Sequence, residues 1–365
     1  MKIPNIKYKI VLSITAIIIS FLIIEIVYHI YDPFPYYSKL EINHTEHGNL
    51  MTYNPRYGWS GIPHSEATLV TENNSILIKN NNQGYRDIEH QSSEMRPAVV
   101  FLGDSFTYGY EVEYNEMFVN LLREMLLDYE VFNLSQRGYG TDQELLIFED
   151  WQYKGPLELV VLMFSENDIT DNNAQVRYGK PKPKFQIIND SITLTGVPVP
   201  NIANWTKDSK PKLKENYWLE SLKSTFFNSH FIHDLYFRLK LLKLYKENNW
   251  QLPTLIQQDI TLTKEILKKL NKKVDEKGAK LILFFIPSKL EIEELIESTP
   301  YQESVREICN ELEIKCVDLA EPIKNSERRT YFRKGSHWNP TGHHIAAQAI
   351  YKSLIYESDL KEVNK

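Results

Sequence analysis

The sequence predicts an α/β fold in which a parallel sheet is covered by helices on both faces. Continuous apolar runs stand at 98–102 (AVVFL), 159–164 (LVVLMF) and 281–286 (LILFFI), the pattern of strands buried on both sides. Between them lie segments with apolar residues at helical spacing: 116–128 (Phe118, Leu121, Leu122, Met125, Leu126), 143–151 and 261–277. Strands that alternate with helices in this way argue for parallel crossovers.

The remaining elements follow in order. A short alternating stretch at 68–79 reads as a strand or hairpin, and 130–134 (EVFNL) as a strand. Gly278 stops the helix before the third apolar run. Pro300 divides two helical stretches, 291–297 and 301–312, ahead of a last strand at 315–319 and a final helix at 345–354. Ligands of such sheets bind outside the carboxyl ends of the strands. That directs attention to Gly103, to 133–141, to 165–168 and to whatever follows Asp318.

Residues 10–30 (IVLSITAIIISFLIIEIVYHI) are apolar over a length that, at about 1.5 Å per residue, crosses a hydrocarbon core of about 30 Å. Glu25 would cost about 2.5–3.5 kcal/mol at mid-bilayer but lies toward the outer end. Tyr-Asp-Pro-Phe-Pro follows rather than the small residues of a cleavage site, which predicts an uncleaved anchor. Lys2, Lys7 and Lys9 precede the segment and Asp32, Glu41 and Glu46 follow it. By the positive-inside rule the main domain then lies outside the membrane. The expected organisation is a cytoplasmic tip and anchor at 1–31, a collar at 32–95 and one α/β domain at 96–365, interrupted by an insertion at about 173–253. Within the insertion, 219–245 has helical spacing, and Lys180, Lys182 and Lys184 read as a solvated loop.

Composition narrows the function. A hydrophobic share of 42% supports one sizeable core, and a net charge of -6 leaves no basic footprint for nucleic acid. The two cysteines, Cys309 and Cys316, read equally as one bridge or as two small buried hydrophobes.

Gly103-Asp104-Ser105-Phe106-Thr107-Tyr108-Gly109 sets a serine directly after a buried strand and before a helix, where an exposed nucleophile belongs. A serine hydroxyl is inert at neutral pH unless a base takes its proton, and the other use of Ser105 is as a helix cap. His337, in the turn 335–344 (GSHWNPTGHH) before the last helix, fits the base, whereas His343 and His344 fall in the first helical turn. The Gly138 loop (133–140) offers backbone N–H groups and Asn167 offers a side-chain amide. Both are oxyanion donors by type, although the glycines also serve a turn and Asn167 a cap. Asp104, Asp142, Asp168 and Asp171 fall in the same loops, without the spacing of a dedicated metal motif.

Taken in order, GDSFTYG, the loop at Gly138, SENDITDN and SHWNPTGH resemble the blocks of the SGNH (GDSL-like) hydrolase family over roughly 97–353, and NNQGYRD at 81–87 is similar to a lead-in of many bacterial members. The resemblance implies a flavodoxin-like three-layer sandwich and acyl-ester chemistry without metal or cofactor. Ser105 would be nucleophile and first oxyanion donor, Gly138 and Asn167 the other donors, and His337 the base. One departure stands out. The family's aspartate two or three residues before the histidine is replaced here by Gly335 and Lys334. Three accounts compete: a Ser–His dyad oriented by a backbone carbonyl, an acid from elsewhere such as Asp318 or Asp168, and a pseudo-enzyme. The expected function is an extracytoplasmic serine esterase that removes acyl groups, acetyl foremost, from an acylated small molecule or cell-envelope carbohydrate. An O-acyltransferase to a sugar hydroxyl and a non-catalytic carbohydrate-binding protein are the alternatives.

Overall fold

A computed structural model describes residues 6–31, 50–71, 73–90, 95–189, 191–201, 257–294, 300–332 and 335–357. The helical stretch expected at 219–245 lies outside these residues. Two units separate, and the N-terminal helix belongs to the smaller one. That helix, α1 (Ile6–Tyr31), contains a 21-residue apolar stretch, Lys7–Val27, long and apolar enough to cross a membrane. Its apolar side chains, Val11 and Ile17 among them, are exposed.

The larger unit begins with two hairpins, β1 (Met51–Asn54) with β2 (Gly58–Gly61) and β3 (Glu66–Val70) with β4 (Ser75–Lys79). The central sheet follows: β5 (Ala98–Leu102), β6 (Glu130–Asn133), β7 (Leu157–Phe164), β12 (Lys280–Phe285) and β13 (Lys315–Asp318). All pair in parallel, in the order β13-β12-β7-β5-β6. Read by rank in the chain, that is the flavodoxin-like order, with its switch point between β5 and β7.

Each apolar strand feeds both faces because side chains alternate along it. Ala98, Val100 and Leu102 of β5 join one core, while Val99 and Phe101 join the other; β7 and β12 divide in the same way. The first core is closed by α4 (Thr141–Asp150), α6 (Gln257–Asp275) and α8 (Pro300–Glu311), through Leu145, Phe148, Ile266, Leu270 and Ile308. The second is closed by α3 (Phe118–Met125), α9 (Ala320–Lys324) and α10 (Pro340–Glu357), through Phe118, Leu122, Ile323, Ala347 and Ile350. Each such buried Leu, Ile or Phe side chain contributes about 1.5–3 kcal/mol. Short helices complete the turns: α2 (Ser105–Tyr108) after β5, α5 (Asp168–Asn173) after β7 and α7 (Lys289–Ile292) after β12.

Two features differ from the sequence reading. The segment read as a collar shares the first core, with Trp59, Ile76 and Ile78 buried beside β5 and α4. The described start of the insertion, read from the sequence only as a lysine-rich loop, is β-structure: hairpins β8 (Val176–Arg177) with β9 (Lys180–Pro181), and β10 (Lys184–Ile188) with β11 (Ser191–Thr195).

Cys309 and Cys316 are bridged, seven residues apart, which joins the end of α8 to β13. Closing a loop this short removes about 2–3 kcal/mol of unfolded-state entropy. Replacing both cysteines by alanine is therefore expected to lower unfolding free energy by about 2 kcal/mol in urea titrations, and reductant should then have no further effect on the variant.

Candidate active site

The turn after β5 is built for close approach. Gly103 has φ +156°, and a Cβ there would lie 2.1 Å from Thr107 Oγ1, inside the first turn of α2. Asp104 caps that helix, its Oδ1 accepting from the Phe106 N–H at 2.9 Å. Ser105 is thus spared the capping role. Its Oγ lies 2.8 Å from His337 Nε2, across 232 residues of sequence.

His337 is presented by a bridge between Tyr331 and Trp338, with the Phe332 N–H donating to the His337 carbonyl at 3.0 Å. Its ring rests between Phe106 and Tyr110, at centroid distances of 5.2 and 4.8 Å. His343 is fully buried in the first turn of α10, where Nδ1 accepts from the Phe118 N–H at 3.3 Å.

The other ring nitrogen of His337 meets a residue that the sequence reading missed. Glu111 Oε2 lies 3.3 Å from His337 Nδ1, with the Glu111 side chain 6% exposed. Glu111 lies three residues beyond the end of α2 and has φ +72°, a left-handed conformation that costs a residue with a Cβ about 1–2 kcal/mol. A Cβ at Gly335 would stand 3.7 Å from Glu111 Oε2. Gly335, one of the two positions at which the resembled family carries its aspartate, thus stands beside the Glu111 carboxylate. Asp318 and Asp168 are engaged elsewhere: Asp318 pairs with Arg306, and Asp168 accepts from the Ser165 N–H at 2.7 Å. The one signal in the sequence was an acidic residue between Tyr110 and Val112, in a stretch that otherwise buries.

The loops after β6 and β7 flank this pair. The Gln136 N–H donates to the Gly103 carbonyl at 3.3 Å, which holds the Gly138 loop against the turn that carries Ser105. Gly138 has φ +73°, and a Cβ there would meet Tyr178 Cε2 at 2.6 Å. Trp59 Nε1 donates to the Arg137 carbonyl at 3.0 Å, and the Arg137 guanidinium lies 4.4 Å over the Tyr110 ring. Asn167 Nδ2 donates to Asp171 Oδ2 at 2.8 Å, and Asp171 in turn pairs with Arg177 at 3.0 Å. An amide carries two N–H donors, so this bond orients the group and leaves a second N–H for a ligand.

Lys182 corrects the expectation of a solvated loop. It is buried, and its Nζ donates to Asp142 Oδ2 and to the Asp171 carbonyl, both at 2.6 Å. The β8–β9 hairpin, whose Tyr178 ring lies against Gly138, is thereby fixed at its base. Of the four loop aspartates, Asp104 caps α2, Asp142 pairs with Lys182, Asp168 holds Ser165 and Asp171 holds Asn167 and Arg177. Among the described residues, no three His, Cys, Asp or Glu side chains converge as a metal set.

A sequence model of the GDSL-like lipase/acylhydrolase family matches residues 101–345. The chain belongs to this family. Family membership makes it an SGNH serine hydrolase, acting on acylated substrates. Similar solved structures include a lipolytic G-D-S-L protein from Veillonella parvula (15% identity, 72% of this chain and 99% of that one, TM-score 0.40). Others are the esterase EstA from a Pseudoalteromonas species (12%, 72% and 99%, 0.38) and a lipase/acylhydrolase from Enterococcus faecalis (13%, 74% and 100%, 0.39). No curated protein matches the chain by sequence.

Burial sets the charge state around the SGNH site. Desolvation raises the carboxyls of Asp104, Glu144 and Asp168 and lifts Asp142 to about 6 despite Lys182. Desolvation, helped by Arg86 and His337, lowers His343 to about 3. Between pH 6.5 and about 3 the unfolded chain then holds a proton on His343 that the folded protein refuses. The corresponding stability is complete above 6.5 and falls with acid by up to about 1.4 kcal/mol per pH unit. Asp142 acts in the opposite sense, favouring the folded state as pH falls from about 6 toward 3.8. Urea unfolding of His343→Gln is expected to show a flatter loss of stability between pH 6 and 4 than the parent; an unchanged slope would contradict neutral burial of His343.

Proposed function

We propose that this SGNH hydrolase is a membrane-anchored, extracytoplasmic esterase that removes acetyl groups from cell-envelope carbohydrate through a Ser105–His337–Glu111 triad. The observation that carries the reading is the unbroken contact chain from Ser105 Oγ to His337 Nε2 and from His337 Nδ1 to Glu111 Oε2, at 2.8 and 3.3 Å.

In this mechanism His337 Nε2 takes the Ser105 proton as Oγ attacks the ester carbonyl. The developing oxyanion is met by the N–H groups of Ser105 and Gly138 and by the Asn167 amide, each donor being worth about 2.7–4 kcal/mol in comparable sites. The imidazolium formed is stabilised by Glu111. His337 then returns the proton to the departing sugar hydroxyl, which leaves an acetyl ester on Ser105. Water, deprotonated by His337, attacks that ester, and His337 returns the proton to Ser105 Oγ as acetate leaves.

Location and substrate rest on further features. The exposed apolar surface of α1 and the distribution of Lys and acidic residues around it support an anchor with the main domain outside. The Cys309–Cys316 bridge suits an oxidising compartment. Phe106, Tyr110 and the exposed Tyr178 ring offer apolar planes around the reacting pair, surfaces on which sugar rings stack.

Release of acetate from acetylated polysaccharide and of nitrophenol from p-nitrophenyl acetate tests the proposal. Ser105→Ala is expected to lower kcat by about 10⁴-fold or more. Glu111→Gln should lower it by about 10²–10⁴-fold with little change in KM. Adding Gly335→Asp to Glu111→Ala should restore part of the loss, because truncation empties the space beside Gly335 and aspartate tolerates the left-handed φ of +78° there better than most residues. Activity that persists in Ser105→Ala would exclude the nucleophile. Acetyl transfer to an added sugar in place of acetate release would make the protein an acyltransferase.

A further inference from the structure

We infer that Arg86, in the NNQGYRD segment, is the positioning residue of the acid: it holds the loop that sets Glu111 against His337. This inference rests on the triad proposed above.

The guanidinium is 1% exposed and faces backbone oxygen. Nη1 donates to the Gly109 carbonyl at 2.5 Å and the Tyr108 carbonyl at 3.3 Å, and Nη2 donates to the Val112 carbonyl at 2.8 Å. These three acceptors bracket Glu111 on both sides. Inside the bracket the chain turns sharply: the Tyr110 N–H returns to the Ser105 carbonyl at 2.9 Å, and Val112 N–H to the Gly109 carbonyl at 3.3 Å. Asn74 Nδ2 also donates to the Glu111 carbonyl. A glutamate at φ +72° persists only where its surroundings over-determine it, and the Arg86 fork together with Asn74 does so here.

Arg86 is itself fixed. Asn133 Nδ2 donates to the Arg86 carbonyl at 3.4 Å and to the Thr107 carbonyl at 3.2 Å. The neighbouring Asp87 accepts from the Asn133 N–H at 2.8 Å and pairs with Arg123 and His90. The strap 86–90 is thus tied to β6 and α3, rigid parts of the sheet and its cover. Only an arginine reaches these acceptors: its planar fork spans carbonyls three and four residues apart, whereas a lysine ammonium is a single point.

The test is a double-mutant cycle in the full chain, measured on p-nitrophenyl acetate. The variants are Arg86→Lys, Arg86→Gln and Glu111→Gln, with kcat expressed per mole of folded protein, read by near-UV circular dichroism below each Tm. In the parent background both Arg86 variants should lower kcat at least about tenfold while KM changes less than about threefold. In the Glu111→Gln background the same changes should cost less than about twofold, because the group they position is already gone. Arg86→Lys keeps the charge and carries the test if Arg86→Gln does not fold. A purely structural Arg86 would lower Tm but leave kcat per folded molecule intact, and that result overturns the inference. Equal losses in both backgrounds overturn it as well. If Glu111→Gln alone has no effect, it is the triad that fails.

Discussion

Everything at the site depends on one imidazole held at both nitrogens. His337 meets Ser105 through Nε2 and Glu111 through Nδ1, and each partner arrives from the same short stretch after β5. That stretch runs from strand to helix to left-handed turn within ten residues. The first bend needs Gly103, since any side chain there would enter the α2 turn. The second bend has no glycine at Glu111, so the surrounding structure must hold what the residue itself disfavours.

The parallel sheet explains why these groups can meet at all. Its strands deliver their carboxyl ends to a common rim, and the flavodoxin-like order puts β5 beside both β6 and β7. The turn carrying Ser105 therefore lies between the Gly138 and Asn167 loops without any long connection having to cross. The final turn before α10 then brings His337 to the same edge. Supporting contacts come from outside the core crossovers: Trp59 braces the Gly138 loop, and Lys182 and Arg177 brace Asp171. Buried charge is tolerated because it is paired or neutralised, as with Lys182 on Asp142 and the proton-free His343.

The sheet strands, their covering helices and the positions of Ser105, His337, Gly138 and Asn167 were legible because each leaves a local trace: an apolar run, a helical spacing, or a glycine, serine or histidine at a strand end. Glu111 left none. Its role comes from a contact with a residue more than two hundred positions away, and the absence of an aspartate at Gly335 said only that something else was needed. Lys182 was misread for a related reason. A lysine in a Lys- and Pro-rich stretch looks solvated until a buried carboxylate, Asp142, is brought to it from another segment. Of the hairpins after α5, β8 and β9 are two residues long each, too short for a period to be read.

The contact between His337 and Glu111 is open to direct observation. In proton NMR of protein labelled with ¹⁵N at histidine, the His337 Nδ1 proton is expected far downfield and protected from exchange. It should vanish in His337→Gln and move strongly upfield or exchange away in Glu111→Gln, with the rest of the spectrum preserved. A downfield His337 signal that survives Glu111→Gln unchanged would mean that another group orients the ring, and would contradict the triad.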